Sequence, residues 1–269
     1  MMQQATLFRV QPTTDAPTFT PLIRVGSIWV KRDDLFEIAG VRGGKVRTCW
    51  ELARGASGLV TAGARASPQV NIVAHVALEL NIPCRVHLPQ GKLSAEVENA
   101  EAVGAVLVRH SPGYNSVIVA RAREDASRLG WTLIPFGMEC PEAVTQTRGQ
   151  VANLPDGIGR ILMPVGSGMS LAGVLWGLMD AGRSIPVVGV VVGAVPTDRL
   201  DRYAPPDWRH RVSLVPAGTD YHKPVRAVIG NIVLDPHYEA KCARFIQPDD
   251  LFWIVGIRQS TQQMEVIGG

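Results

Sequence analysis

The chain has 269 residues, 46% of them hydrophobic, and a formal net charge of +3. That length and apolar share are enough to bury a full core in one large or two smaller units, which excludes a disordered chain, and the scattered arginines form no basic run of the kind nucleic acid selects. Met1 to Phe8 lacks a basic segment followed by a long apolar run, and no apolar stretch approaches the roughly 18 residues of a membrane helix, so a soluble, cytoplasmic protein is expected.

In chain order, Ile28 to Val30 is a short β-rich run. It leads through Lys31, Arg32, Asp33 and Asp34, which read as a structural ion cluster, into Gly43-Gly44-Lys45-Val46-Arg47, and a helical pattern follows from Val46 to Ala53. Strands are expected at Gly58 to Thr61, Pro83 to Leu88, Ala105 to Arg109 and Trp131 to Pro135, alternating with helices at Gln69 to Leu80, Glu96 to Val103 and Val117 to Leu129. Glu142 to Leu154 is a further helix. Arg160 to Val165 is an apolar strand that runs straight into Gly166-Ser167-Gly168-Met169-Ser170, and Leu171 to Ala181 opens the next helix. Pro186 to Val192 is a continuous apolar strand, as expected when both faces of a sheet are covered. Val195 to Thr219, rich in proline and charge, reads as irregular. A turn at Asp235-Pro236, a helix from His237 to Ala243, a strand from Leu251 to Val255 and a frayed tail from Gln259 to Gly269 complete the chain. The alternation is that of an α/β protein with parallel sheets covered by helices.

Four cysteines and six histidines show neither Cys-x-x-Cys nor His-x-x-x-His spacing, so no disulfide framework and no structural metal are expected. The two glycine loops carry the chemistry. Adjacent glycines let the backbone approach a flat ligand closely, and a lysine just beyond them forms a Schiff base with an aldehyde once desolvation lowers its pKa. The loop at 166 to 170 opens a helix, whose free N–H groups and dipole favour an anion. Together they point to pyridoxal phosphate, attached to Lys45 and held through its phosphate by Gly166, Ser167, Gly168, Met169 and Ser170. Neither loop reads Gly-x-Gly-x-x-Gly with an acidic residue some twenty positions on, which argues against a dinucleotide binder.

Several segments in the right order resemble the fold-type-II pyridoxal-phosphate enzymes, most closely the branch of 1-aminocyclopropane-1-carboxylate deaminase and D-cysteine desulfhydrase. These are Thr20-Pro21-Leu22, Val30 to Leu35, Gly43 to Arg47, Gly166 to Gly173 and Leu234-Asp235-Pro236-His237-Tyr238-Glu239-Ala240-Lys241. The resemblance implies two three-layer α/β/α domains with parallel-rich twisted sheets and the cofactor in the cleft between them. Residues 1–53 plus 136–269 would form the large domain and 54–135 the small one. It also implies a homodimer, and Lys45 as the base at the substrate's α-carbon.

The chain departs from that family at two places. Where the family has an asparagine for the cofactor's phenolic oxygen, this chain has Pro68, which lacks both side-chain donor and N–H; Asn71, one turn on, is a candidate substitute. Near the C-terminus Phe252-Trp253-Ile254-Val255-Gly256 stands in for a His-Thr-Gly-Gly-like turn. Ser67 and Gln69 at a helix start are candidates for the substrate carboxylate, with an ordinary serine N-cap as the plainer reading. Tyr221 is a candidate acid or stacking group, or else a core tyrosine, and Asp235 and Tyr238 read as packing and turn residues. The expected activity is a lyase or deaminase forming an imine between the cofactor and a small amino acid or amino-acid-like amine. The alternatives are an enzyme acting on an amino-acid adduct of a nucleotide or DNA, and a binding protein of the same fold with little turnover.

Overall fold

The computed structural model describes residues 19–65 and 67–258; the expectations for Met1 to Phe8 and for the tail from Gln259 lie outside them. The chain opens with a hairpin, β1 (Leu22–Val25) and β2 (Ile28–Arg32), turned at Gly26. A two-stranded ribbon, β3 (Glu37–Ile38) and β4 (Val41–Arg42), hands the chain to α1 (Gly44–Ala53). Then follow β5 (Leu59–Ala62), α2 (Pro68–Glu79), β6 (Cys84–Pro89), α3 (Ala95–Ala102), β7 (Val106–His110), α4 (Asn115–Leu129) and β8 (Thr132–Ile134). These strands form a parallel sheet in the order β7-β6-β5-β8.

Next come α5 (Pro141–Gly149), β9 (Arg160–Val165), α6 (Met169–Asp180), β10 (Val187–Val191), α7 (Thr197–Tyr203), α8 (Trp208–Arg211) and β11 (Val212–Pro216). A ribbon of β12 (Val228–Ile229) and β13 (Ile232–Val233) precedes the last strand, β14 (Asp250–Ile254). The second sheet runs β1-β2-β14-β9-β10-β11 and is parallel except for the β1–β2 pair. Both central strands, β9 and β14, are apolar runs because both their faces are covered, with Ile161, Leu162, Met163, Phe252 and Trp253 wholly buried. The protein is thus α/β with parallel-rich sheets.

The structure corrects three sequence expectations. Val195 to Thr219 is not irregular, because β11 pairs in parallel with β10 from Val187↔Val212 onward; flanking prolines and charges mask this edge strand. The expected helix from Glu142 to Leu154 stops at Gly149 and continues as a 3-10 turn over Gln150–Asn153. The expected helix at 237 to 243 is a 3-10 segment, Glu239–Phe245.

Packing at the start of α1 fixes where Lys45 stands. Asp33 is buried and accepts from Thr20 Oγ1 (2.6 Å), Trp253 Nε1 of β14 (3.0 Å) and Arg47 Nη2 of α1 (3.2 Å). Burial opposes its ionisation, but the Arg47 charge and these donors hold its carboxyl below the usual range. The neighbouring Lys31, wholly buried, donates to Thr20 O (2.9 Å) and Asn153 Oδ1 (2.7 Å). The bonds that converge on Asp33 therefore fasten α1 to β14 and to the end of β2.

Candidate active site

The carboxyl ends of β5, β9 and β14 and the start of α1 surround one cleft of about 890 Å³, mouth included, within the range of small-molecule sites. Such a position, where strands end and helices begin, collects helix N-termini and loop backbone around a ligand. Lys45 projects from the first turn of α1. Its loop is held down by Gly44 N–H donating to Val255 O and Gly43 N–H donating to Phe36 O, both at 2.9 Å. Gly43 has φ of +115°, open chiefly to glycine. Burial lowers the Lys45 ammonium from its ordinary 10.5 to about 8, and the nearby Arg258 charge adds to the effect. A substantial part of the amine is then neutral and nucleophilic at physiological pH.

The loop after β9 forms the second wall. Gly168 has φ of +87° and caps α6, so the first N–H groups of that helix face the loop. A Cβ on Gly166 would collide with the Tyr238 hydroxyl. Gly173, further along, serves packing instead. A Cβ there would stand 2.6 Å from Thr147 Cβ and 2.7 Å from Val144 O, so this glycine lets α6 lie against α5.

Glu239 supplies a third element. Its side chain is fully buried, Oε1 accepts from the N–H groups of Val255 and Gly256 (3.2 Å each), and Oε2 has no hydrogen-bond partner among the described residues. Burial first, then the Asp235 charge, pushes its carboxyl well above the glutamate range. Beside it, Arg258 Nη2 donates to Tyr221 Oη (2.7 Å), and the carbonyl oxygen of Tyr221 lies 2.9 Å from His237 Nδ1 and 3.2 Å from Lys241 Nζ. Tyr221 is thus held at both ends.

Of the residues singled out in the sequence, Lys45, Ser67, Tyr221, Gly166, Ser167, Gly168 and Ser170 line this cleft. Met169 is buried in the first turn of α6 and does not line it. Gln69 and Asn71 do not line the cleft. The Gln69 amide donates to Thr61 Oγ1 (3.0 Å) and Pro135 O (2.8 Å), and the Asn71 amide donates to Glu96 Oε2 (3.2 Å) on α3. It is Ile72, one residue further round the helix, that reaches the cleft. Glu239 and Arg258 were missed. Glu239 lay inside the stretch from Leu234 to Lys241 and was legible there, whereas Arg258 follows β14 without any motif. Asp235, read as a turn residue, makes that turn by accepting from His237 N–H (2.8 Å) and Tyr238 N–H (3.1 Å), and it also pairs with Arg258 (3.3 Å).

Among the described residues no group of three or more His, Cys, Asp or Glu is placed to hold a metal ion, and no helix is long and apolar enough to cross a membrane. A cleft at strand ends that unites a buried lysine, a glycine cradle on a helix N-terminus and a buried carboxyl group suits an anionic aromatic aldehyde. The chain belongs to the pyridoxal-phosphate dependent enzyme family, whose model matches residues 5–219. Its fold is similar to that of an ACC deaminase homologue (TM-score 0.76, 22% identity, 93% of this chain and 94% of that one). It is also similar to threonine deaminase isoform 2 from Solanum lycopersicum (TM-score 0.65, 14% identity, 92% and 87%) and to serine racemase from Dictyostelium discoideum (TM-score 0.66, 12% identity, 89% and 90%). No curated protein sequence matches this chain.

The family's cofactor is pyridoxal phosphate, and the residues present fit it. The glycine cradle at 166 to 170 suits the phosphate, Lys45 suits the aldehyde carbon, and the unpartnered Oε2 of Glu239 suits the ring nitrogen.

Proposed function

We propose that the chain is a pyridoxal-phosphate-dependent lyase or deaminase acting on a small amino acid or an amino-acid-like amine, with Lys45 as the base at the carbon that bears the amine. The single observation behind this reading is that Lys45, the loop at 166 to 170 and the Oε2 of Glu239, without a partner among the described residues, share one cleft. Bound there, the cofactor supplies an electrophilic carbon for amines and a conjugated ring that accepts charge from the substrate's α-carbon.

The chain's own residues do the rest. The N-terminus of α6 and the hydroxyls of Ser167 and Ser170 hold the phosphate. Lys45, with its pKa brought to about 8, is free to take a proton from the α-carbon and return it, since a base works best near ambient pH. Glu239 controls protonation at the ring nitrogen. Tyr221 accepts from Arg258, so its own O–H proton is directed elsewhere than the arginine, which suits a proton donor to the departing group. The Ser67 hydroxyl stands beside the same space. The division into a large and a small domain at about residues 54 and 135, and a homodimer, follow from the family resemblance and belong to the same reading.

The test is to load the protein with cofactor and offer D- and L-amino acids in deuterated water, following loss of the α-proton signal together with ammonia and keto acid. Exchange that depends on Lys45 supports the proposal. Exchange that persists in Lys45→Ala, or none with any amino acid or amine, contradicts it.

A further inference from the structure

We infer that Arg258 receives the carboxylate of the substrate, in place of the amino end of α2; this deepens the proposed function and rests on it. The amino end of α2 has fewer groups to offer an anion than a helix start ordinarily has. Pro68 at its first position has no N–H. Ser67 N–H donates to Ala64 O (2.9 Å) and Gln69 N–H to Ser67 Oγ (3.3 Å), while the Gln69 side-chain amide is taken up by Thr61 and Pro135. A helix start normally serves anions through these same groups; here one N–H is missing and those of Ser67 and Gln69 are committed.

Arg258 lines the same cleft and is only 8% exposed. Its Nη2 donates to Tyr221 Oη at 2.7 Å. Among the described residues its buried Nε makes no hydrogen bond, although Asp235 Oδ2 is 3.3 Å away. Asp235 spends its lone pairs elsewhere, on the backbone N–H groups of His237, Tyr238 and Arg258 itself (2.8, 3.1 and 3.4 Å). That carboxylate therefore sets the place and orientation of the arginine without closing its donor set. A guanidinium with N–H groups to spare, fixed by a neighbouring acid inside a small cleft, matches a carboxylate with a two-pronged contact. It lines the same cleft as Lys45. The substrate class that follows is an amino acid with a free carboxylate, rather than a simple amine.

Stable reduced adducts test this without turnover. N-(5′-phosphopyridoxyl)-L-alanine, its D-enantiomer and N-(5′-phosphopyridoxyl)ethylamine share phosphate, ring and amine and differ in the carboxylate. Titrated calorimetrically into the cofactor-free full chain, one alanine adduct should bind roughly ten- to a hundred-fold more tightly than the ethylamine adduct, the usual worth of a charge-assisted contact. Arg258→Gln should bring that ratio close to one while leaving the ethylamine adduct's affinity within a few-fold. Arg258→Lys, which keeps the charge without the fork, should fall between. Ser67→Ala should keep the ratio.

A wild-type ratio near one for both enantiomers overturns the inference whatever the variants do, as does a ratio that survives in Arg258→Gln or is lost in Ser67→Ala. Tight binding of all three adducts with equal affinity leaves the proposed cofactor site standing and removes only the role of Arg258. Failure of every adduct to bind removes both.

Discussion

A Cβ built on Gly43 would stand 2.9 Å from the Cα of Gly256, so the backbone of the lysine loop touches the backbone that follows β14. Through that contact the nucleophile's loop and the segment bearing Arg258 are placed as one unit, and the Oε1 of Glu239 clamps the same turn from its other side. Gly43→Ala adds a methyl group where none fits, at a φ of +115°. It should cost roughly 1–3 kcal/mol in denaturant unfolding and sharply reduce cofactor occupancy, measured as visible absorbance per chain.

Reaction of the cofactor-free protein with pyridoxal phosphate should depend on pH through Lys45. The unprotonated amine is the nucleophile, so the rate should rise with pH and level off above about 8, the value burial and Arg258 impose. Removing that cation in Arg258→Gln should move the midpoint to higher pH. A stopped-flow series across the range reads both.

Glu239 should leave its mark on stability. Its folded pKa lies well above the ordinary 4.5. Between those values the unfolded chain has released a proton that the folded chain keeps, so this group's contribution is complete below pH about 4.5 and fades as pH rises toward the folded value. In Glu239→Gln, where an amide oxygen can still accept from Val255 and Gly256, that downward slope should be missing from the unfolding free energy of the variant while wild type retains it.

Gly173→Ala offers a contrast, since the new methyl would press on Thr147 and on the backbone of α5, away from the cleft. A loss of about 1–3 kcal/mol in stability is expected from overpacking. Cofactor occupancy in the folded protein should be unchanged.

Features written in local backbone chemistry were legible in the sequence. Adjacent glycines before Lys45, and a glycine-serine loop between an apolar strand and a helix, dictate their conformations wherever they occur. Features set by tertiary surroundings were not. Asn71 sits in the expected helix, yet helical phase turns its amide toward Glu96 while Ile72 meets the cleft. Arg258 is one charged residue in a polar run, and nothing before folding says that it will be buried against Tyr221 and Asp235. The strand β11 was hidden for a related reason: its pairing with β10 is set by tertiary contact, and its short apolar run lies inside a segment rich in proline and charge.

The central claim is that Lys45 bonds covalently to pyridoxal phosphate in this cleft. Borohydride reduction of the cofactor-loaded protein, followed by proteolysis and mass mapping, tests it most directly. A phosphopyridoxyl group on Lys45, absent in Lys45→Ala, is the expected result. A stoichiometric label on any of the other lysines, or no label on a protein that has taken up the cofactor, would contradict the account.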